Sequence, residues 1–404
     1  MNRRSKCIMV SVLAVVIATI LGVTLYLLDR ADAQTPPDLR NLNAAQLDYL
    51  RGAFAKVQSR GLMVEHGRLH GDDGNFCPHE KPTFLAWHRA YLIAFEGHLG
   101  SIMPYWDWTE YLHHSAFDSP TYQGGKPNPL FSGQIFDSSA GGLTDQRTER
   151  NWEALDPKYL AESVYRALTR PTFEAFQREL EAAHAMVHNT IGGAMIPVKT
   201  AAFDPIFWFH HSMVNIIWSM WSSLHKGADL SSFNNIVIDN YNLARDQTSF
   251  ANVNSRDVVF PHTDTYKRAA ASVNGYAGGG GLQFVALSAN AGPVQVASDD
   301  PRTPHLILTL HDYTSPMDSQ NIRVSLNGTE AGFTGLIGMA HRAHGDMGHV
   351  HRDRTIDLTL AYNKLMAGLG LDEVKNFTTV KVHNLMTGDE TSLKGGWSLG
   401  WEVY

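Results

Sequence analysis

Two groups of histidines constrain this chain more than anything else in it. His184 and His188 stand four residues apart in a segment with apolar residues at helical spacing, so both imidazoles leave one face of a helix. His211 closes the run Asp204-Pro205-Ile206-Phe207-Trp208-Phe209-His210-His211, where Asp204 reads as an N-cap and Pro205 as the first helical residue. Upstream, His70, His79 and His88 form a second group, with Pro82 separating a histidine that precedes a helix from one within it. Histidines spread over so many segments meet only if several helices pack with their imidazoles inward, as in a bundle with a metal site in its core. Two groups of three predict a pair of ions. Donor sets made only of imidazole suit copper, zinc, iron or nickel. The His-Glu-x-x-His pattern of zinc proteases is missing from the chain.

The 404 residues are enough for more than one domain. A net charge of −7 offers no basic surface for nucleic acid. Residues 1–33 read as an export segment: Arg3, Arg4 and Lys6 precede an uncharged apolar run from Cys7 to Leu28, and Ala31-Asp32-Ala33 has the form of a cleavage site. The run is also long enough to cross a bilayer, so a cleaved signal and a membrane anchor through residues 7–28 both stay open. Either places the body of the protein outside the cytoplasm, secreted, periplasmic or anchored. Cys77 is then the only cysteine of the exported body, which leaves no internal disulfide.

Periodicity predicts helices over residues 44–58, from Pro82 to about Leu99, from Phe173 to Val187 with an end near Gly192-Gly193, and from Asp204 through Trp221. Residues 104–170, mixed and rich in Gly, Pro and Ser, read as loops over that scaffold. The expected fold is a mainly α catalytic domain over residues 34–270, a four-helix bundle around the metal centre. A glycine-rich linker follows at 271–284, around Gly278–Gly281. Beyond it, alternating segments such as His305–Leu310, Ile322–Leu326, Thr355–Leu360 and Val380–Val382 predict a small β-sandwich over 285–404.

Three motifs add a resemblance. Phe84-Leu85-Ala86-Trp87-His88-Arg89-Ala90-Tyr91-Leu92, Pro104-Tyr105-Trp106-Asp107-Trp108 and the 204–211 run are similar, in the same order, to signatures of the tyrosinase, catechol oxidase and haemocyanin group of type-3 dicopper proteins. The resemblance covers roughly residues 62 to 221. It implies two copper ions, one held by His70, His79 and His88, the other by His184, His188 and His211, with O2 and a small phenol as partners. His66-Gly67 and His70-Gly71 both resemble the first ligand of the group, and His70 is favoured by its short step to His79. Adjacent helical residues point about 100° apart, so only one of His210 and His211 can face a metal. The family pattern favours His211.

The resemblance extends around the ligands. Cys77-Pro78-His79 has the Cys-x-His spacing at which some members join the cysteine sulfur to a carbon of the second ligand, which implies a thioether from Cys77 to His79. Ala185 stands where many tyrosinases carry the asparagine thought to hold a water for monophenols; a methyl group cannot orient water. Glu181, three residues before His184, resembles the partnering glutamate and is a candidate base. Val198 corresponds by spacing to a gate residue, and Asn215 replaces a family aspartate. The implied reaction is oxidation of o-diphenols to o-quinones with weak monophenol hydroxylation. A full tyrosinase and an o-aminophenol oxidase are the alternatives, and an oxygen-carrying haemocyanin-like unit is a more distant one. The C-terminal part, from Phe333-Thr334-Gly335-Leu336-Ile337 onward, is similar to the terminal domain of plant polyphenol oxidases, which can shield the site. The stretch His341–His351, with His344, His349, Met339 and Met347, reads as a histidine-rich solvated loop, with copper loading as its sharper alternative.

Overall fold

Four of the long helices begin or end where the sequence supplies a cap. The computed structural model describes residues 36–72, 77–79, 81–225 and 228, and after them the segments 237–238, 248–249, 304–314, 320–326, 329–336, 351–358, 380–384, 390–392 and 397–403. Helix α1 (Ala44–Ser59) opens on Asn43, whose side chain accepts from the Gln46 amide while the Gln46 side chain accepts from the Asn43 amide. Helix α2 (Leu62–Gly67) runs directly into a wider π-helical turn, Arg68–Asp72. Helix α3 (Phe84–Leu99) is buried on nearly every side, including Phe84, Trp87, His88, Tyr91 and Phe95, and therefore threads the core. Helices α4 (Pro157–Thr169), α5 (Phe173–Ile191) and α6 (Pro205–Leu224) pack around it.

Asp204 caps α6 by accepting from the Ile206 amide, with Pro205 in the first turn as the sequence predicts. Its carboxylate also receives Arg150, Nη2 to Oδ1 2.6 Å, and both partners are buried. Two charges out of water must stay paired, so this contact fixes the start of α6 against the segment before α4.

One helical expectation needs changing. Residues 104–170 are not all loop: α4 occupies 157–169, its Leu160, Val164, Ala167 and Leu168 buried in the core. That i, i+4, i+7, i+8 pattern was present in the sequence, masked by the Gly- and Pro-rich residues before it. Helix α5 runs to Ile191 and stops at Gly192 with φ 70°, the end expected near Gly192-Gly193. The buried Asn189 and Thr190 carry it on, held by partners remote in sequence.

The described strands of the C-terminal part are β1 (Pro304–Thr314), β2 (Gln320–Leu326), β3 (Thr329–Leu336), β4 (His351–Asp357), β5 (Val380–Asn384), β6 (Glu390–Ser392) and β7 (Trp397–Val403). They form two antiparallel sheets, ordered β4-β1-β7 and β6-β5-β2-β3. Leu306, Leu308, Leu310, Ile322, Val324 and Ile356 are buried, but so are Ile307, Asn321 and Ser325, so the period-two alternation read from the sequence is not kept in the burial of β1 and β2. The export segment at 1–33, the linker at 271–284 and the His341–His349 part of the histidine stretch lie outside the described residues. Among the described residues no helix is long and apolar enough to cross a membrane.

Candidate metal centre

Helix α5 delivers His184 and His188, four apart, with ring centroids 4.4 Å from each other. Helix α6 delivers His211, 5.0 Å from His184 and 5.8 Å from His188. Helix α3 delivers His88, and the π-helical turn delivers His70, 5.8 Å from His88. An irregular helical turn at a functional histidine fits the usual placement of such turns. The two groups adjoin: His88 stacks on His211 at 4.3 Å with the rings 6° from parallel, and lies 6.2 Å from His184. Helices that begin far apart in the chain thus put five of the six predicted imidazoles in one buried cluster.

The sixth, His79, sits half-buried on the turn before α3, its ring 6.4 Å from His70, 6.0 Å from His88 and 5.6 Å from His184. The most compact donor set of the first group is His70, Cys77 and His88, whose ligand atoms lie within 4.8 Å of one another. The Cys77 sulfur is 3.3 Å from Nε2 of His88 and nearly equidistant from the two nitrogens flanking Cε1 of His79, at 3.4 and 3.6 Å. In the second group the compact set is His184, His188, His210 and His211. His210 stacks on His184 at 5.0 Å and stands 5.9 Å from Trp108. His66 goes elsewhere: it is caged by Tyr91, Phe95 and Trp208, and its Nε2 meets Nδ1 of His98 at 3.0 Å.

Hydrogen bonds assign the tautomers of three imidazoles. Nδ1 of His70 lies 2.9 Å from the Val198 carbonyl, that of His88 2.9 Å from the Phe84 carbonyl, and that of His188 2.8 Å from the Met195 carbonyl. A carbonyl only accepts, so each Nδ1 carries the proton and each Nε2 an available lone pair. The buried Nε2 atoms of His70 and His188, and both ring nitrogens of His184 and His211, have no hydrogen-bond partner. Orphaned buried nitrogens are costly, and a metal ion is a partner that this geometry accommodates. Burial holds the imidazoles neutral: His70 is lowered to about 3, with the backbone bond to Val198 opposing the shift, and His188 to about 4. Burial first, then neighbouring imidazoles, takes His184 and His211 well below the ordinary histidine range. Neutral imidazole is the form that ligates.

The surrounding residues fall into place around this cluster. Glu181 is buried on α5 one turn before His184. The Cys77 thiol is pushed well above its ordinary range, by burial first and by the Glu181 carboxylate second. Val198, expected as a gate, is buried at the start of the single turn Val198–Ala201 and acts through its carbonyl on His70. Gly71 makes that bond possible: a Cβ there would lie 2.4 Å from the Val198 oxygen. The glycine after the histidine is visible in the sequence, but its reason lies in this close approach. Asn215 accepts from Nε of the buried Arg89, whose guanidinium lies 3.5 Å from the Trp218 ring centroid, so it ties α3 to α6. Ala185 is buried beneath the backbone of Gly335 in β3, where a Cβ on Gly335 would be 2.7 Å from the Ala185 carbonyl carbon.

Fold and site together define a helical protein whose core holds two adjoining groups of neutral imidazoles with free lone pairs. Residues 53–224 match the common central domain of tyrosinase. The chain has the fold of solved tyrosinases and haemocyanins. Hemocyanin 2 of Megathura crenulata is 32% identical over 214 residues, 47% of this chain but 6% of that protein. The tyrosinase of Streptomyces glaucescens is 28% identical over 189 residues, 39% of this chain and 68% of that one. The chain thus corresponds to a small fraction of the long haemocyanins it matches. A functional unit of octopus haemocyanin superposes with a TM-score of 0.63 at 18% identity, covering 91% of this chain and 99% of that one. Recombinant mushroom tyrosinase gives 0.61 at 16% identity, covering 91% and 92%.

Proposed function

We propose that this chain is a copper-dependent oxidase of o-diphenols, converting catechols to o-quinones with O2. The observation that carries the reading is Glu181, a buried carboxylate one turn from His184 whose charge reaches Cys77. A reversible oxygen carrier has no proton to move; oxidation of a catechol releases two, and a base beside the imidazoles takes up the first. His70, His79, His88, His184, His188 and His211 would hold two copper ions, which would supply the activation of dioxygen. The chain's own residues keep the imidazoles neutral, orient His70, His88 and His188 through backbone carbonyls, and line the approach with Val198. Ala185, in place of an amide, provides no water-holding group for a monophenol, so diphenols are the preferred substrates.

The same preparation tests a second assignment, the thioether between Cys77 and His79. Its formation replaces one S–H and one ring C–H by a C–S bond, with two electrons and two protons passing to dioxygen. The intact mass of the copper-loaded chain should fall by two hydrogens, and an unchanged mass would refute the bond. A panel of catechols, monophenols and o-aminophenols on that chain should show rapid quinone formation from catechols without a lag and slow turnover of monophenols. The similarity to haemocyanins favours a second reading, an oxygen-binding unit. Reversible O2 binding with no quinone formed would establish it in place of the first. Export, as a soluble or anchored protein, belongs to the same proposal and rests on residues 1–33 alone.

A further inference from the structure

Helix α5 has two sides with different obligations. At about 100° per residue, Glu179, Met186 and Thr190 share a stripe roughly opposite His184 and His188. The C-terminal sheets meet that stripe along its length. Near its start, Glu179 binds Arg166 and Arg170 within the helical domain and accepts from the Thr355 hydroxyl of β4 at 2.9 Å. In the middle, the backbone of β3 at Gly335 lies against Ala185 and Met186, where a Cβ would come within 2.2 Å of the Met186 nitrogen. At its end, Asn321 of β2 donates to the Met186 carbonyl at 3.5 Å and to the Thr190 hydroxyl at 3.2 Å. Asn189 answers, donating to the Asn321 side chain at 3.3 Å and to the Leu336 carbonyl at 3.4 Å. Asn189, Thr190 and Asn321 are all buried, so these bonds have no water to replace them.

We propose that the C-terminal sheet, through Asn321 and the backbone at Gly335, positions the helix carrying His184 and His188, so that one half of the metal centre is held by both parts of the chain. Asn321 is a positioning residue. It touches no ligand but fixes the last turn of α5, on which His188 and its neighbour Asn189 sit. Gly335 is required for close approach, since any side chain there would push β3 off the helix. The first group, on α3 and the π-helical turn, has no such bond to the sheet among the hydrogen bonds described. The inference rests on the imidazoles holding metal and is independent of the reaction they support.

The test uses the full chain and cobalt(II), whose visible spectrum reports coordination, in two backgrounds. His70→Ala leaves the second group intact, and His188→Ala leaves the first. Asn321→Ala should weaken cobalt binding about tenfold in the His70→Ala chain and less than about twofold in the His188→Ala chain, in line with the loss of an outer contact. Asn189→Ala should act in the same background, and the double variant should cost less than the two effects combined, because the single changes share the Asn189–Asn321 bond while each also removes bonds of its own. Hydrogen exchange over residues 184–191 should quicken in parallel. Equal weakening in both backgrounds, or none in either, overturns the proposal. So does the same split from Val57→Ala, a core change in α1 remote from the sheet. If Asn321→Ala does not fold, Thr355→Val removes only the Glu179 contact and must show the same asymmetry in smaller degree. An unaltered chain that binds fewer than two cobalt ions would instead refute the reading of the histidine groups.

Discussion

His211→Ala is expected to reduce bound copper from two ions to one per chain and to lower catechol oxidation by more than the roughly 100-fold that loss of an outer contact costs. His210→Ala is expected to retain both ions. Both residues are buried, both belong to the compact four-imidazole set, and both have two unpartnered ring nitrogens, so proximity alone does not separate them. Direction does. Neighbouring helical side chains diverge by about 100°, which sends them to different sides of α6. His211 stacks on His88 of the other group at 4.3 Å and lies 4.2 Å from Phe207, so it stands between the two groups. His210 lies 5.0 Å from both His184 and His211 and 4.8 Å from His188, and its ring faces Trp108 at 5.9 Å. Copper analysis of the two purified variants is the measurement. Loss of an ion from His210→Ala, with His211→Ala retaining two, would reverse the assignment.

Gly71→Ala is expected to weaken metal binding by the first group about 10–100-fold while leaving the second unchanged, although the substitution adds one methyl group and touches no ligand. The methyl has no free space: it would lie 2.4 Å from the Val198 oxygen and 2.8 Å from the Lys199 Cα. The backbone at 198 must retreat, and the His70 Nδ1–H then loses the acceptor that fixes its ring and leaves Nε2 available. Gly52→Ala is the control, since nothing lies within 4 Å of a Cβ placed there, inside α1. That change should be neutral or slightly stabilising, because alanine is the better helix former. Metal titration of the His188→Ala chain with and without Gly71→Ala reads the effect directly. Unchanged affinity would mean that the Val198 carbonyl does not orient His70.

Much of this was legible beforehand because it depends on local periodicity. The spacing of His184 and His188 and the Asp204-Pro205 start of α6 are properties of a few consecutive residues, and the structure repeats them. Helix α4 was equally local and was overlooked because the loop-like composition before it set the reading for the whole stretch. What was not legible were contacts between residues remote in sequence. Spacing gave Val198 only as a gate and could not show that its carbonyl acts on His70, 128 positions away. Cys77 was paired with His79 by spacing, yet its sulfur lies as close to His88 as to His79. Asn321 carried no signal, and Gly335 stood only within the Phe333–Ile337 resemblance, since an asparagine and a glycine in strands reveal a packing role only when a helix lies against them.

The sequence by itself determined the donor chemistry: which imidazoles exist, which share a helix face, and that two groups rather than one must converge. Those follow from residue type and from the period of a helix, which neighbouring residues set between them. Only the tertiary structure decided which nitrogen of His70, His88 and His188 is left for a metal, that His66 is turned away into an aromatic cage, and that α5 is gripped from behind by the C-terminal sheet. Those depend on where a distant carbonyl, ring or strand arrives, and close packing of the whole chain fixes that.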